Sequence, residues 1–288
     1  MRETIHRDLL VALVAAVAFV ELLVVQAGLG RLGELVGMSC AVGLVALVTV
    51  GLAASRRPAP GPADRVTLVR AVLTCGVAAM VADAFTNESG AERSTTLLVV
   101  LASGSLLLDA VDGPIARHTG TPSPFGARFD MECDAILILV LAVHVSRGIG
   151  WWVLLVGAAR YVLLLAQRAM PWLGGVVPAK RWRKAAAAYT GTGLTVVASR
   201  SLPHGLAVLV VGVALVALVV SFGTQAAELW RSRRPRTGQD LPDRVPLGRA
   251  APSTAATAAT AATAGGWPDA SSASEAAVLG IFRLGRPR

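Results

Sequence analysis

Long apolar runs separated by short polar breaks organise this chain. From Leu9 to Ala27 the only charged side chain is Glu21, and a Gly-Leu-Gly step then precedes a second apolar run. A bilayer core about 30 Å thick takes roughly 20 apolar residues in a helix. On that measure the pattern predicts about eight spans, at roughly 8–28, 34–54, 66–86, 95–116, 131–147, 150–168, 185–200 and 204–223. The seventh is the least apolar, being rich in Ala, Gly and Thr. The predicted fold is all-α, a polytopic transmembrane helix bundle. Arg2 and Arg7 ahead of the first run resemble a secretory signal, but the run continues to Ala27 without a small-residue cleavage site, so it reads as a retained membrane helix.

Composition agrees. The 288 residues are 54% hydrophobic and 16% charged, with mean hydropathy +0.62, well to the apolar side of soluble domains. A net charge of +9 raises nucleic acid as a partner, yet the cations lie in short segments between apolar runs, where topology and anionic lipid account for them. No nucleic-acid partner is expected. Arg56, Arg57 and Arg65 share one connection, Arg117 and Arg128 the next alternate one, and Arg168, Lys180, Arg181, Arg183 and Lys184 the one after. The opposite connections hold isolated cations, Arg31, Arg93, Arg147 and Arg200. By the positive-inside rule the first set is cytoplasmic, and so are both termini, in a multi-pass protein of the inner (plasma) membrane. Cys40, Cys75 and Cys133 show no paired spacing and read as small buried hydrophobes. The tryptophans fall mostly at span ends, as an aromatic belt requires. After Trp230, "RSRRPR" and the tract "APSTAATAATAATAGG" read as a disordered basic tail, and the final "AAVLGIFRLGRPR" as a candidate membrane-touching helix.

Against this apolar background the stretch "LLLDAVDGPIARHTGTPSPFGARFDMECDAILILVLAV" carries four aspartates. On a helix Asp109, Asp112, Gly113 and Ala116 share a face, and Asp130 and Asp134 share one on the next helix. Gly120, Pro122 and Pro124 lie between, where a turn belongs. Two helices joined by a short loop bring the four carboxylates together at the cytoplasmic membrane surface. Unpaired, they would repel one another at a cost of several kcal/mol. Divalent cations with a preference for hard oxygen ligands, Mg²⁺, Mn²⁺ or Ca²⁺, offset that charge, and paired ions held by carboxylates suit phosphoryl chemistry. Gly113 and Ala116 leave room for a bulky ligand. The competing structural reading is that the aspartates form buried salt bridges with Arg70, Arg117, Arg128 and Arg160. Pro114 is expected to perturb the first of the two helices.

Read in order, Asp109, two residues, Asp112, Gly113, two residues, Ala116, Arg117, eight residues, Gly126, three residues, Asp130, three residues and Asp134 resemble the signature of the CDP-alcohol phosphatidyltransferases. Upstream, "PADRVTLVR" is similar to the opening of that family's core, with Asp64 where asparagine is more usual and Thr67 and Arg70 in place. The resemblance implies a six-helix core over about residues 61–229, preceded by an extra pair of transmembrane helices over about 1–60 and followed by the tail from about 230 to 288. It implies Mg²⁺- or Mn²⁺-dependent transfer of a phosphatidyl group from CDP-diacylglycerol to an alcohol with release of CMP. It also implies two ions on Asp109, Asp112, Asp130 and Asp134, with Asp134 as general base, and a homodimer. Thr67, Arg70, Asp112, Gly113, Ala116, Arg117, Ser123 and Gly126 would contact the CDP-lipid.

A phosphorylated acceptor needs cations of its own, for which Arg160, Arg181, Arg183 and Lys184 are candidates, and these lean toward glycerol-3-phosphate or inositol phosphate. Glu21 is expected to pair with a neighbouring helix or an oligomer partner, and His144 to be a satisfied core histidine. Three alternatives stand: phosphoalcohol transfer from a CDP-alcohol to diacylglycerol, an intramembrane prenyltransferase, and a non-enzymatic cation-binding membrane protein.

Overall fold

The computed structural model describes residues 2–55, 61–87, 91–118, 124–175 and 181–232. Among these, eight α-helices follow in order: α1 Arg2–Ala27, α2 Arg31–Ser55, α3 Pro62–Asp83, α4 Ala91–His118, α5 Pro124–Ile149, α6 Leu154–Ala169, α7 Arg181–Ala198 and α8 His204–Ser232. Six are long and apolar enough to cross a membrane; α5 and α7 fall short of that composition. The shortfall in α5 has a clear cause, since its first turns carry Arg128, Asp130, Glu132 and Asp134. The expected tail and terminal helix lie outside the described residues.

α3 is the central element. Two-thirds of it (67%) is buried, whereas the other candidate spans bury 17–28%. It packs against α1, α2, α4 and α5. Small side chains make this position tenable: Ala71, Thr74, Cys75, Gly76, Ala78 and Ala79 allow neighbouring backbones to approach. On α2 the spacing Gly33-x-x-x-Gly37 does the same from the other side. A Cβ on Gly33 would lie 2.9 Å from the Ala79 carbonyl oxygen, and one on Gly37 2.9 Å from Val20 of α1. α1 ends at Gly28, whose φ of +68° suits glycine, and the chain returns as α2 after two residues. The Gly30 N–H donates to Asp83 Oδ1 at 2.7 Å, tying this hairpin to the end of α3.

Glu21 is exposed on α1, with no ion pair to another helix among the described residues. The expected helix-to-helix pairing is therefore not formed among the described residues. The helices also overrun the apolar runs that predicted them. α5 begins at Pro124, so Asp130 and Asp134 lie within a formed helix and not at its threshold. α4 continues through Pro114 to His118: the lost backbone donor does not end the helix there.

Candidate active site

The site is built where the first half of α3 meets the end of α4 and the start of α5. Pro62 opens α3, and the Asp64 carboxylate accepts a hydrogen bond from the Gly61 N–H at 2.7 Å, which satisfies an orphan donor at the helix entrance. Thr67 and Thr74 are buried and return their hydroxyls to their own helix, donating to the carbonyls of Ala63 (3.2 Å) and Arg70 (2.9 Å). Arg70 lies between them. A second apolar cluster, formed by Leu44, Val48 and Leu52 of α2 with Cys75 of α3 and Phe125 and Phe129 of α5, clamps the first turns of α5 against α3. The two phenylalanine rings stack with centroids 5.8 Å apart. That clamp sets the depth at which the α5 aspartates face Arg70.

Arg70 Nη1 lies 3.0 Å from Asp109 Oδ1 and also bonds Asp130, while Nη2 bonds Asp134. The three carboxylates offer oxygens that all fall within 4.8 Å of one another. Exposure separates the parts: the Arg70 side chain is 1% exposed, whereas Asp109, Asp130 and Asp134 are 34–38% exposed. The guanidinium is the floor of the site, and the carboxylates keep an open side. One positive against three negative charges leaves a formal −2 (+1 − 3) on that open side. A hard divalent cation fits this donor set in both charge and ligand chemistry.

The salt-bridge reading is thus realised in part, by Arg70. Arg160 pairs with Glu132 instead, one helix over from the aspartates. Glu132 was missed by sequence reasoning, although its offset of two residues from Asp130 directs it away from the Asp130/Asp134 stripe and so toward another neighbour. Arg183 pairs with Glu228 of α8 at 3.1 Å and approaches the Trp182 ring at 5.8 Å. Lys184, one of the expected acceptor cations, lies within electrostatic reach of Asp109. Gly126 is half-buried one turn before Asp130. Asp112, Gly113, Ala116 and Arg117 belong to the last turns of α4, but their side chains, Ser123 and the Arg181 side chain lie outside what is described. Among the described residues there is one acidic cluster able to hold a metal.

Beside the carboxylates an apolar cavity of about 460 Å³ opens between α2, α3 and α5, lined by Cys40, Gly43, Ala71, Thr74, Cys133 and Ile136 among others. Ala71 follows Arg70 and Cys133 precedes Asp134, so the hydrocarbon-lined space adjoins the charged one. All three cysteines are free thiols, Cys75 and Cys133 buried and Cys40 half-buried, as small apolar side chains would be.

The family model of the CDP-alcohol phosphatidyltransferases matches residues 62–225, more than half of the 288. No curated protein and no solved structure matches the chain. Because the family match begins at the Pro62 that opens α3 and ends inside α8, it takes in Arg70 and every aspartate of the cluster, and the chain belongs to the CDP-alcohol phosphatidyltransferase family, membrane-embedded transferases of lipid biosynthesis.

Proposed function

We propose that this enzyme transfers the phosphatidyl group of CDP-diacylglycerol to a phosphorylated alcohol, glycerol-3-phosphate or inositol phosphate, and releases CMP. The observation that carries the reading is the open carboxylate cluster of formal charge −2 beside an apolar cavity. One substrate has to present a diphosphate and a pair of hydrocarbon chains together, and the two spaces adjoin as that substrate requires.

Asp109, Asp130 and Asp134, with Asp112 as the fourth carboxylate, would hold Mg²⁺ or Mn²⁺, and we take two ions as the complement of four carboxylates. When bound, such ions neutralise the diphosphate and the charge that develops as CMP departs. Arg70 positions Asp130 and Asp134 through separate nitrogens and so fixes the rotamers of both. Asp134 takes the proton from the acceptor hydroxyl as its oxygen forms a bond to the phosphatidyl phosphorus; the bond from that phosphorus to the bridging oxygen breaks, and CMP leaves with the electron pair. A carboxylate is a weak base, so its value lies in its position and in acting as charge develops. Gly113, Ala116, Arg117, Ser123, Gly126 and Thr67 are assigned to the CDP moiety, and Lys184 to the acceptor phosphate together with Arg160 and Arg183. The last two are held by Glu132 and Glu228, each through one nitrogen, which leaves further N–H donors for an acceptor.

The same reading divides the chain into an N-terminal helix pair over about 1–60, a catalytic core over about 61–229 and a tail, with the carboxylates and both termini at the cytoplasmic face of the plasma membrane. It takes the protein as a homodimer without a nucleic-acid partner. Family membership sets aside the prenyltransferase and non-enzymatic alternatives. The test is an assay of the purified protein with CDP-diacylglycerol, Mg²⁺ or Mn²⁺ and a panel of alcohols, following CMP and the lipid formed. CMP release that depends on glycerol-3-phosphate or inositol phosphate supports the reading. Release only from a CDP-alcohol in the presence of diacylglycerol overturns it in favour of phosphoalcohol transfer.

A further inference from the structure

A second cavity, of about 330 Å³, lies at the opposite ends of the same helices. Asp83 closes α3 thirteen residues after Arg70, and Arg147 follows Asp134 by thirteen on α5, which at 1.5 Å per residue puts this cavity about 20 Å from the carboxylates. Its lining is about half polar, and among the described residues its charge has the opposite sign. Arg147 and Arg200 face it together with His144, Ser94 and Asp83.

The Asp83 carboxylate accepts the Gly30 N–H through Oδ1, which holds that oxygen toward the α1–α2 turn. Arg147 is held by a hydrogen bond to the Ala84 carbonyl and by the Phe85 ring 4.6 Å below its guanidinium, which leaves further N–H donors to spend on a ligand. Neither Arg147 nor Arg200 forms an ion pair among the described residues. Arg200 has φ of +57° at the end of α7, a left-handed conformation in which glycine is the usual residue. A guanidinium is kept at a place where the backbone alone would favour having no side chain. His144 supplies the remaining observation. The residue is 7% exposed, and its Nδ1 is buried with no hydrogen-bond partner. His144 lines the cavity, and in the tautomer that carries its proton on Nε2 its Nδ1 keeps an acceptor lone pair.

We propose that this cavity is a binding site for a phosphate that bears a hydroxyl, its oxyanion between Arg147 and Arg200 and its O–H donated to His144 Nδ1. Free hydrogen phosphate and the phosphodiester headgroup of a hydroxylated anionic lipid share this chemistry. The volume accommodates either, and the cavity is separate from the site of transfer.

The experiment uses the full-length protein in phosphatidylcholine nanodiscs with EDTA, so that divalent ions do not retain phosphate at the carboxylates. Unfolding midpoints are read with added inorganic phosphate, with added sulfate, and in nanodiscs doped with phosphatidylglycerol. A saturable rise with phosphate that sulfate reproduces only at about tenfold higher concentration is expected, because sulfate lacks the hydroxyl. A rise confined to the doped nanodiscs assigns the site to a lipid headgroup. Arg200→Gly relieves the left-handed strain, so it should fold at least as well as the wild type yet require at least about tenfold more ligand for the same shift. Asp134→Asn should respond as the wild type does. The proposal is overturned if no probe shifts the midpoint, if Arg200→Gly responds like the wild type, or if phosphate shifts the midpoint and sulfate does so equally well.

Discussion

At the scale of single residues, the roles proposed for Arg70 and Asp134 divide between support and chemistry. Asp134→Asn preserves shape and leaves Asp109 and Asp130 on the guanidinium, so the fold should persist. Turnover should drop about 10²–10⁴-fold, measured as CMP release; turnover within twofold of wild type would remove Asp134 as the base. Arg70→Gln has the opposite profile. It strips the buried guanidinium from beneath three carboxylates; breaking a fully buried ion pair costs about 3–5 kcal/mol, and the cost here is smaller because the carboxylates left behind are 34–38% exposed. The unfolding midpoint of that variant should fall sharply in EDTA and recover in part with Mg²⁺, since a divalent cation can take over the neutralisation. A midpoint insensitive to Mg²⁺ would argue against a metal at this cluster. The aspartates themselves were legible from spacing, because identity and interval are properties of the chain. Arg70 was legible as a site residue, yet its three-way bond to the carboxylates depends on how far α3 sinks between α4 and α5.

At the scale of elements, α2 makes two separate contributions. Its glycines set how close it lies to α1 and α3, and its middle turns wall the apolar cavity. Gly37→Leu drives a side chain into Val20 and Ala79, and overpacking of this kind costs about 1–3 kcal/mol, readable as a lowered midpoint in detergent. Gly43→Leu is different, because a Cβ there meets nothing within 4 Å and the new side chain grows into the cavity. Its expected effect is a severalfold higher KM for long-chain CDP-diacylglycerol with little change for a short-chain analogue, the fold remaining intact. An equal effect on both donors would show that the cavity does not receive hydrocarbon chain. The helix count was legible in the apolar pattern, but helix lengths were not. Hydropathy reports where a helix touches lipid, and α5 continues as helix through charged turns that face protein and water.

At the scale of the whole molecule, the carboxylates and the His144 cavity occupy opposite ends of one bundle, so the proposed topology carries consequences that can be read from outside. Ser201 lies exposed between α7 and α8, and the three native cysteines are interior or half-buried. A Ser201→Cys variant in intact cells should react with a membrane-impermeant maleimide, whereas Thr237→Cys in the tail should react only after lysis. The reverse pattern would invert the assignment of the carboxylates to the cytoplasmic face. What the sequence determined by itself was everything encoded locally: the all-α membrane class from the length of the apolar runs, the alternation of charge between connections, and the family from eight identities at set intervals. Tertiary structure alone decided which charges meet. Arg160 took Glu132, Arg183 took Glu228 and Arg70 took three aspartates, because ion pairing depends on helix rotation and depth that small residues such as Gly33, Gly37 and Ala79 set across the bundle. The unpartnered Nδ1 of His144 belongs to the same class: its isolation arises where the ends of α3, α5 and α7 converge, and nothing in its own stretch of chain carries that information.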